Sequence, residues 1–385
     1  MSDNPEKKGY WDRVLEEPIS EWFPWGITAL IIAVFAVIIL VGPIGIPHKT
    51  KVEQVGFRGT GMQTTYKAEE YEETLKQVDL IPIEDPPYEV TEDSVYARDI
   101  YENVQVLGDL TEDNFLRVMT QLTEWLAPEK GCEYCHGLEG GFAPDDMYTK
   151  VVARRMFQMT RDINANWGDH VSPAGVTCYT CHRGQNVPQY IWFNQEPEEE
   201  STAGWLNNQN TANPRVALAD LPNNIYEKYL MGDAEIRVIP QEIRNDPTGM
   251  DTKDAEWTFG LMIHMSKSLG VNCTYCHNTR AMSQWDQRPP AATNAWYGIR
   301  MVRSINNDYL APLQPVYPEY RLGPTGDAPK ANCTTCHQGA YKPLFGEIVI
   351  ENWRNELIGP TAGAMEQAAT EADAAAPVDE ATATE

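Results

Sequence analysis

Cys132-Glu-Tyr-Cys135-His136 is the first of four stretches in this chain that have the pattern C-x-x-C-H. The others are Cys178-Tyr-Thr-Cys181-His182, Cys273-Thr-Tyr-Cys276-His277 and Cys333-Thr-Thr-Cys336-His337. Together they hold all eight cysteines of the chain. In this pattern the two thiols attach a c-type haem covalently, and the adjacent histidine supplies an axial nitrogen to its iron. The sequence therefore predicts four covalently bound haems.

A bare C-x-x-C is also found in zinc sites, redox dithiols and disulfides. None of these chemistries requires a histidine directly after the second cysteine, whereas all four stretches have one. We therefore expect the cysteines to be haem attachment points rather than zinc ligands or disulfide partners.

The chain is strongly acidic, with 56 Asp and Glu against 30 Lys and Arg in 385 residues and a net charge of −26. Such a charge disfavours binding to nucleic acid and suits a basic protein partner. Residues 47–95 are polar and contain prolines, so we expect an extended arm. The end of the chain is acidic and rich in alanine, which predicts a disordered tail over residues 351–385.

No charged residue occurs between Glu21 and His48. Residues 26–46 would form a helix of about 31 Å, which is long enough to cross a bilayer. A cleaved secretory signal is the alternative, but the preceding segment is long and acidic. We predict an uncleaved transmembrane helix, with residues 1–25 in the cytoplasm. The rest of the chain is expected in the periplasm, because c-type haem is attached outside the cytoplasmic membrane.

An internal repeat organises the haem region. Cys-x-Tyr-Cys-His recurs at His136 and His277, and Thr-Cys-His-x-Gly recurs at His182 and His337. We call the first type the A motif and the second the B motif, so that their order is A, B, A, B. This order predicts a mainly α multihaem cytochrome c domain over residues 96–350, built as a pseudo-two-fold pair of two-haem units.

Two methionines occupy matching positions before the A motifs. Met119 and Met262 lie on segments with the apolar spacing of a helix, and Gly270 is placed to cap the second helix. A thioether sulfur is a common sixth ligand of a c-type haem and raises its reduction potential. Met119 and Met262 are therefore candidate ligands of haems 1 and 3.

The repeat alone leaves the sixth ligands of haems 2 and 4 open. Met156 and Met159 both precede the second motif, and the repeat aligns Met159 with Met301 and Met156 with Gly298. One possibility is that both haems have a methionine ligand at the same repeat position, which would be Met159 for haem 2 and Met301 for haem 4. The other is that haem 4 takes its ligand from elsewhere in the chain. His170, outside the motifs, is a candidate for that role.

Four arginines are candidates for pairing with haem propionates. Arg183 and Arg280 follow haem motifs closely, and Arg161 and Arg303 occupy matching repeat positions. A surface location is the alternative for Arg183 and Arg280.

Four further segments accompany the motifs: Tyr148-Thr-Lys-Val-Val-Ala-Arg-Arg-Met156, Asn164-Ala-Asn-Trp167, Gly175-Val-Thr-Cys-Tyr-Thr-Cys-His-Arg-Gly184 and Leu269-Gly-Val-Asn-Cys-Thr-Tyr-Cys-His-Asn278. With these segments the chain resembles, over roughly residues 96–350, the tetrahaem cytochrome subunit of the photosynthetic reaction centres of purple bacteria. The resemblance implies three haems with His/Met ligation and one with His/His ligation. The implied axial pairs are Met119 with His136, Met156 with His182, Met262 with His277, and His170 with His337. Met159 and Met301 then become packing residues.

The resemblance also implies an electron carrier rather than an enzyme. Such a subunit re-reduces the photo-oxidised bacteriochlorophyll special pair held by reaction-centre subunits L and M, with H. Its electrons come from a soluble periplasmic donor, either a small c-type cytochrome or a high-potential iron–sulfur protein. The implied location is the inner, photosynthetic membrane, through a single span. A membrane-anchored tetrahaem quinol dehydrogenase that feeds a periplasmic reductase is the alternative function. One departure is that no cysteine is available for the lipid anchor of better-known members.

Overall fold

The computed structural model describes residues 22–41, 49–54, 63–76, 78–137, 140–195, 221–236, 252–282 and 284–359. Helices dominate these residues, which confirms the predicted mainly α class. The α-helices are α1 (Trp22–Val41), α2 (Ala68–Leu75), α3 (Ala97–Ile100), α4 (Glu112–Leu126), α5 (Tyr148–Asn166), α6 (Gly168–Val171), α7 (Cys178–His182), α8 (Thr252–Leu269), α9 (Pro290–Ser304), α10 (Cys333–His337) and α11 (Arg354–Leu357). The strands β1 (Thr50–Gln54) and β2 (Gln63–Lys67) form a two-stranded sheet.

Short turns of 3-10 and π helix connect many of these elements. The 3-10 turns are Gly131–Tyr134, Cys273–Tyr275, Trp285–Gln287, Ala311–Val316, Glu319–Arg321, Pro343–Gly346 and Glu351–Trp353. The π turns are Glu227–Met231 and Ile305–Leu310.

The chain divides into two compact units. The first comprises Met1–Val52 and Thr65–Glu72, and the second comprises Glu53–Thr64 and Glu73–Glu385. The first unit includes α1, and the second includes all four C-x-x-C-H motifs. The structural basis of haem binding is therefore found in the second unit.

Helix α1 carries no charged residue, and its side chains over residues 24–39 are exposed. Within the part of the chain that the structure describes, no helix has both the length and the apolarity that crossing a membrane requires. The transmembrane helix expected over residues 26–46 therefore stays a prediction. Residues 42–46 of that span lie outside the described residues.

The arm expected over residues 47–95 contains more regular structure than its sequence suggested. The strands β1 and β2 and the helix α2 all lie within it. Helix α2 has Glu69 and Glu70 in its first turn, where negative charge is favourable, and it buries Tyr71. Beyond these elements, residues 81–95 run without helix or strand, as an extended arm would.

Three apolar clusters form the core of the second unit. The first joins α4, α7 and the end of the described chain, and includes Val118, Trp125, Tyr179, Trp353 and Leu357. The second joins α8 and α9 to the segment around Tyr229, and includes Ile225, Leu230, Leu261 and Val302. The third lies between α5 and the end of α9, and includes Ile163, Met301 and Ile305. The burial of Met301 agrees with its implied role as a packing residue.

Matching asparagines tie the helices before the B motifs to the segments that lead into those motifs. Asn164 donates from Nδ2 to the Val176 carbonyl (2.8 Å), and the Val176 N–H donates back to Asn164 Oδ1 (2.8 Å). Asn306 makes the same pair of bonds with Ala331, at 2.9 and 2.8 Å. The B motifs are therefore positioned by the same local device in both halves.

A short segment from elsewhere in the chain clasps each of these helices. Arg161 donates from Nε to the Glu356 carbonyl (2.8 Å), and Arg303 donates from Nε to the Tyr229 carbonyl (2.7 Å). The residue after each acceptor is a leucine, whose carbonyl accepts from the matching asparagine at 2.9 Å. The segments around Glu356 and Tyr229 thus occupy equivalent places in the two halves, although they lie far apart in the sequence.

Residues 351–359, which were predicted to be part of a disordered tail over residues 351–385, are folded. Trp353 is fully buried and meets Trp125 edge-on, with ring centroids 4.8 Å apart. Aromatic pairs of this geometry add to the stabilisation that comes from burial. Apolar contacts therefore hold the chain in the folded unit as far as Gly359, and residues 360–385 lie outside the described residues.

Replacing Trp353 by Ala should lower the free energy of unfolding by about 3–5 kcal/mol, because the buried ring leaves a cavity. The neighbouring Arg354→Ala is the control, because the Arg354 side chain is 54% exposed. Its effect should stay within about 0.5 kcal/mol. Guanidinium unfolding followed by circular dichroism measures both values. Equal effects of the two substitutions would contradict the placement of residues 351–359 in the core.

Candidate functional site

The two B motifs form single helical turns, α7 and α10. The N–H group of the residue before each turn donates to a threonine hydroxyl inside it, from Thr177 to Thr180 at 3.0 Å and from Asn332 to Thr335 at 2.9 Å. In a helical turn, residues i, i+3 and i+4 share a face. Both cysteines and the histidine of each B motif therefore point to one side, as attachment to one porphyrin requires.

The two A motifs are built on tighter 3-10 turns, Gly131–Tyr134 and Cys273–Tyr275. In each, the backbone N–H of the histidine donates to the carbonyl of the first cysteine, at 3.0 Å in the first motif and 2.9 Å in the third. This bond closes the same five-residue loop that a helical turn would form. Both kinds of turn therefore gather the two thiols and the imidazole of one motif.

Repeat-equivalent residues meet where the two B motifs come together. Helices α7 and α10 are in contact, and the Sγ atoms of Cys181 and Cys336 lie 2.7 Å apart. Each is the second cysteine of its motif. A contact between equivalent residues is what a two-fold relation between two units produces.

Each B motif is also joined to the helix that precedes the A motif of its own half. The N–H of Gly184 donates to the Trp125 carbonyl on α4 at 2.9 Å. In the second half, the N–H of Gly339 donates to the Ser268 carbonyl on α8 at 2.8 Å. The two haem motifs of each half are therefore held in a fixed relation through a helix.

The imidazole rings are oriented by hydrogen bonds from Nδ1 to backbone carbonyls. A carbonyl can only accept, so Nδ1 carries the proton and Nε2 of the neutral ring keeps its lone pair for a metal. Such an outer hydrogen bond is the usual support of a ligating histidine. The bonded pairs are His136 with Phe142 (3.2 Å), His182 with Gln185 (2.9 Å), His337 with Ala340 (3.0 Å) and His170 with Asn294 (2.8 Å).

His277 has no hydrogen-bond partner for Nδ1 among the residues that the structure describes. In the first motif the accepting carbonyl belongs to Phe142, six residues after the histidine. The corresponding position in the third motif is 283, which lies outside the described residues.

His170 and His337 face each other although they belong to different halves of the chain. Their ring centroids lie 6.1 Å apart. Two metal–nitrogen bonds of about 2 Å each, with roughly one further ångström from each nitrogen to its ring centre, give a separation of about 6 Å. Burial and the nearby His170 ring lower the pKa of His337 to about 4, so the ring is neutral, as a ligand must be. The pair fits two axial ligands on one iron.

Gly298 makes the room that His170 needs. A Cβ at position 298 would lie 2.5 Å from Cε1 and 3.0 Å from Nε2 of His170. The His170 Nδ1 bond goes to Asn294, one turn earlier on the same helix α9. The repeat aligns Gly298 with Met156. The position that holds a candidate methionine ligand in the first half is therefore empty of side chain in the second half, and a histidine ring occupies the space.

The candidate methionine ligands all lie on helices next to haem motifs. Met119 lies on α4, which contacts the turn of the first motif, and it is partly buried against the first cluster. Met262 lies on α8 and is partly buried against the second cluster. Met156 and Met159 both lie on α5 against the third cluster. The choice between those two rests on the family resemblance and not on their placement.

Arg161 and Arg303 have structural partners, so the hypothesis that they bind haem propionates is not supported. Arg161 is buried and pairs with Asp109 at 3.0 Å in addition to its backbone bonds. Arg303 donates to the backbone of Tyr229 and Ala234. Both arginines bind the clasping segments through hydrogen bonds to their backbone carbonyls.

Arg183 is a better candidate than Arg161 or Arg303 for pairing with a haem propionate. It lies beside the contact of the two B motifs, donates weakly to the Cys336 carbonyl (3.4 Å), and has no partner for Nε among the described residues. Burial lowers the pKa of Arg183. Arg288, which the sequence did not single out, has a buried Nε with no partner among the same residues, whereas Arg280 is exposed.

The thiols are not arranged as the alternative chemistries need, since the Sγ atoms of Cys181 and Cys336 come close at 2.7 Å but belong to different motifs and are not bonded. All eight cysteines are free. Among the described residues, no three His, Cys, Asp or Glu side chains are grouped as a metal site would need. Burial raises the pKa of Cys178 and Cys333 to about 12, which reflects apolar surroundings that suit a porphyrin. The donor set therefore fits haem better than zinc or a disulfide.

Comparison with known proteins decides the family. The profile described as photosynthetic reaction centre cytochrome C subunit matches residues 45–357. The chain belongs to this family. Proteins named photosynthetic reaction center cytochrome c subunit include that of Roseobacter denitrificans, which is 48% identical over 84% of this chain and 89% of its own length. Those of Rubrivivax gelatinosus and Thermochromatium tepidum are 43% and 42% identical, over 88% and 84% of this chain and 91% and 78% of their own lengths.

Membership of a reaction-centre cytochrome c family implies covalently bound haem c and association with the photosynthetic membrane. The resemblance read from the haem region is thereby confirmed. Sequence reasoning missed two residues, Gly298 and Arg288, because their roles depend on contacts with distant parts of the chain. The role of Gly298 could have been suspected from the sequence, because the repeat aligns this glycine with Met156, a candidate ligand. No such signal indicated Arg288.

The Gly298→Ala substitution should displace His170 from the space beside His337. Alanine favours a helix over glycine by about 1 kcal/mol, so loss of α9 would not explain the effect. We expect the optical and electron paramagnetic resonance spectra to show one haem that has lost its low-spin state. Gly168→Ala, two residues before His170, is the control, because the nearest neighbour of the added Cβ would be Ser172 Oγ at 3.8 Å. An unchanged spectrum in Gly298→Ala would contradict the assignment of His170.

A second pair of variants separates the two methionines on α5. Met156→Leu should remove the sixth ligand of the second haem and lower its reduction potential, because the thioether is lost. Met159→Leu keeps the volume of a packing residue and should leave all four potentials unchanged. A redox titration of each variant gives the answer. The reverse result would assign Met159 as the ligand.

Proposed function

We propose that this subunit re-reduces the photo-oxidised bacteriochlorophyll special pair of a photosynthetic reaction centre, with electrons from a soluble periplasmic donor. The proposal is carried by family membership together with four C-x-x-C-H turns in one folded unit. A bound haem supplies one-electron chemistry at its iron. The chain itself holds each group covalently, orients its axial ligands and keeps water away.

The proposed set is four c-type haems, three with His/Met and one with His/His ligation. The axial pairs are Met119 with His136, Met156 with His182, Met262 with His277, and His170 with His337. The facing rings of the last pair and the Nδ1 bonds of three motif histidines support this set. Two ligands at every iron leave no position for a substrate, so we propose that the subunit is not an enzyme.

The two halves of the haem region are proposed to be related by a pseudo-two-fold axis. Three observations support this relation: the matching bonds of Asn164 and Asn306, the matching clasps on Arg161 and Arg303, and the contact between equivalent B motifs. The tetrahaem domain would then run over residues 96–359 rather than end at 350.

A single membrane span over residues 26–46 is proposed as the anchor, with residues 1–25 in the cytoplasm and the haem domain in the periplasm. Its support is the absence of charge from α1 and the exposure of its apolar side chains. Exposed apolar side chains along residues 24–39 call for an apolar environment.

The partners proposed are the reaction-centre subunits L, M and H and a small soluble donor. The net charge of −26 favours a basic c-type cytochrome and disfavours nucleic acid. A high-potential iron–sulfur protein is the other donor class. The quinol dehydrogenase alternative is not favoured, because the three relatives named above carry the reaction-centre name, and three histidines outside the motifs cannot provide four second ligands.

Flash-induced absorbance on native membranes tests the proposed function. We expect haem oxidation after the special pair is oxidised, with matched amplitude, because the electron on the special pair comes from a haem. Membranes in which the haems are chemically oxidised before the flash are the control and should show slow special-pair recovery. Haems that stay reduced while the special pair recovers at its usual rate would overturn the proposal.

A further inference from the structure

A buried lysine lies beside the first haem motif without a role in the function derived so far. Lys150 lies on α5 and is only 9% exposed. Its Nζ donates to three successive backbone carbonyls, those of Phe142 (2.8 Å), Ala143 (2.6 Å) and Pro144 (2.9 Å). All three donor hydrogens of the ammonium group are therefore used inside the protein.

One of these carbonyls is shared with the axial histidine of the first motif. The Phe142 oxygen accepts from His136 Nδ1 at 3.2 Å as well as from Lys150 Nζ at 2.8 Å. A carbonyl has two lone pairs and can accept both bonds. The ammonium group draws electron density from the oxygen and makes it a weaker acceptor for the imidazole. The charge of Lys150 thus reaches the iron ligand through a single atom.

The charges around Lys150 do not cancel. Asp145 lies 3.3 Å from Lys150 Nζ, but it is also bound by both terminal nitrogens of Arg154 at 2.7 Å. The Arg154 guanidinium holds the pKa of the Asp145 carboxyl well below its usual range, so this group stays charged. Two cations then face one carboxylate. Lys150 is the more buried of the cations, with an 11% exposed side chain against 16% for Arg154.

The third motif has no lysine at the matching position. The alignment of Met159 with Met301 places Lys150 opposite Ala292, which is buried on α9. An alanine side chain cannot donate a hydrogen bond or carry charge. The two A motifs therefore share a backbone design but differ at this position, and the cation near His277 in the third motif is Arg288 instead.

We propose that Lys150 raises the reduction potential of the haem held by His136. A buried positive charge disfavours the ferric state, which has one more positive charge than the ferrous state. The weakened Phe142 acceptor leaves His136 a poorer electron donor to the iron, which acts in the same direction. Lys150 is a positioning residue, since it acts through Phe142 and His136, and the inference rests on the axial ligands proposed above.

Redox titration of the full-length protein, with haem 1 resolved by its spectrum, tests this role. Lys150→Met should lower the midpoint of haem 1 and leave the other three unchanged. Lys150→Arg keeps the charge and should restore most of the shift. Lys130→Met is the matched control, because Lys130 lies next to the same motif but is exposed to solvent, which screens its charge. A shift in Lys150→Met no larger than that in Lys130→Met would overturn the proposal.

A second variant tests the opposite sign. Asp145→Asn removes the carboxylate that partly neutralises Lys150, so the midpoint of haem 1 should rise. A purely structural role for Lys150 gives no reason for the two variants to shift the midpoint of haem 1 in opposite directions. A lower or unchanged midpoint of haem 1 in Asp145→Asn would overturn the proposal, even if the Lys150→Met protein does not retain haem 1. Haem content and low-spin spectra of the wild-type protein report separately on the axial ligands.

Discussion

The hydrogen bond from histidine Nδ1 to a backbone carbonyl is the interaction on which the rest of the haem region depends. It decides which ring nitrogen is left for iron, and it fixes the plane of the ring. The accepting carbonyls belong to the loops that follow the motifs, at Gln185 and Ala340 in the B motifs and at Phe142 in the first A motif. The fold must therefore hold these loops as firmly as the motifs themselves, and the bonds of Gly184 to Trp125, Gly339 to Ser268 and Lys150 to Phe142 contribute to this.

The two halves differ at one place, and there a residue of the first half, His170, reaches into the second half. The helix α6 lies in the first half, but His170 on it donates to α9 and faces His337, both in the second half. This arrangement requires that position 298 carry no side chain, because a Cβ there would overlap the ring. With the ligands proposed above, a glycine in place of a methionine at one position of the repeat makes the space that a ligand from the other half needs.

Much of this was predictable from sequence because the haem motif is local. The motifs, the A and B repeat, the helices before the A motifs and the cap at Gly270, which has φ +64°, all follow from short-range patterns. The ligand expected for haem 4 does not follow from such patterns, because the repeat left Met301 and His170 as alternatives and only the family resemblance implies His170. The composition of the chain end predicts a tail that includes residues 351–359, because its many acidic residues outweigh the single apolar signal of Trp353. Their place in the core depends on contacts with α4 and α5 that no local pattern records.

A carrier whose irons each have two protein ligands adjusts potential through three features only: the identity of the ligands, the hydrogen bonds to them and the charges buried nearby. In the proposed ligand set, ligand identity sets the His/His site apart from the His/Met sites but does not distinguish the three His/Met sites from one another. The net charge of −26 acts mainly at the surface, where salt screens it, and so bears on docking more than on potential. A buried ammonium group such as Lys150 is screened far less, and its counterpart Ala292 has no charge at all. Sites that share ligands and backbone design are therefore free to differ in potential through a single side chain outside the motif.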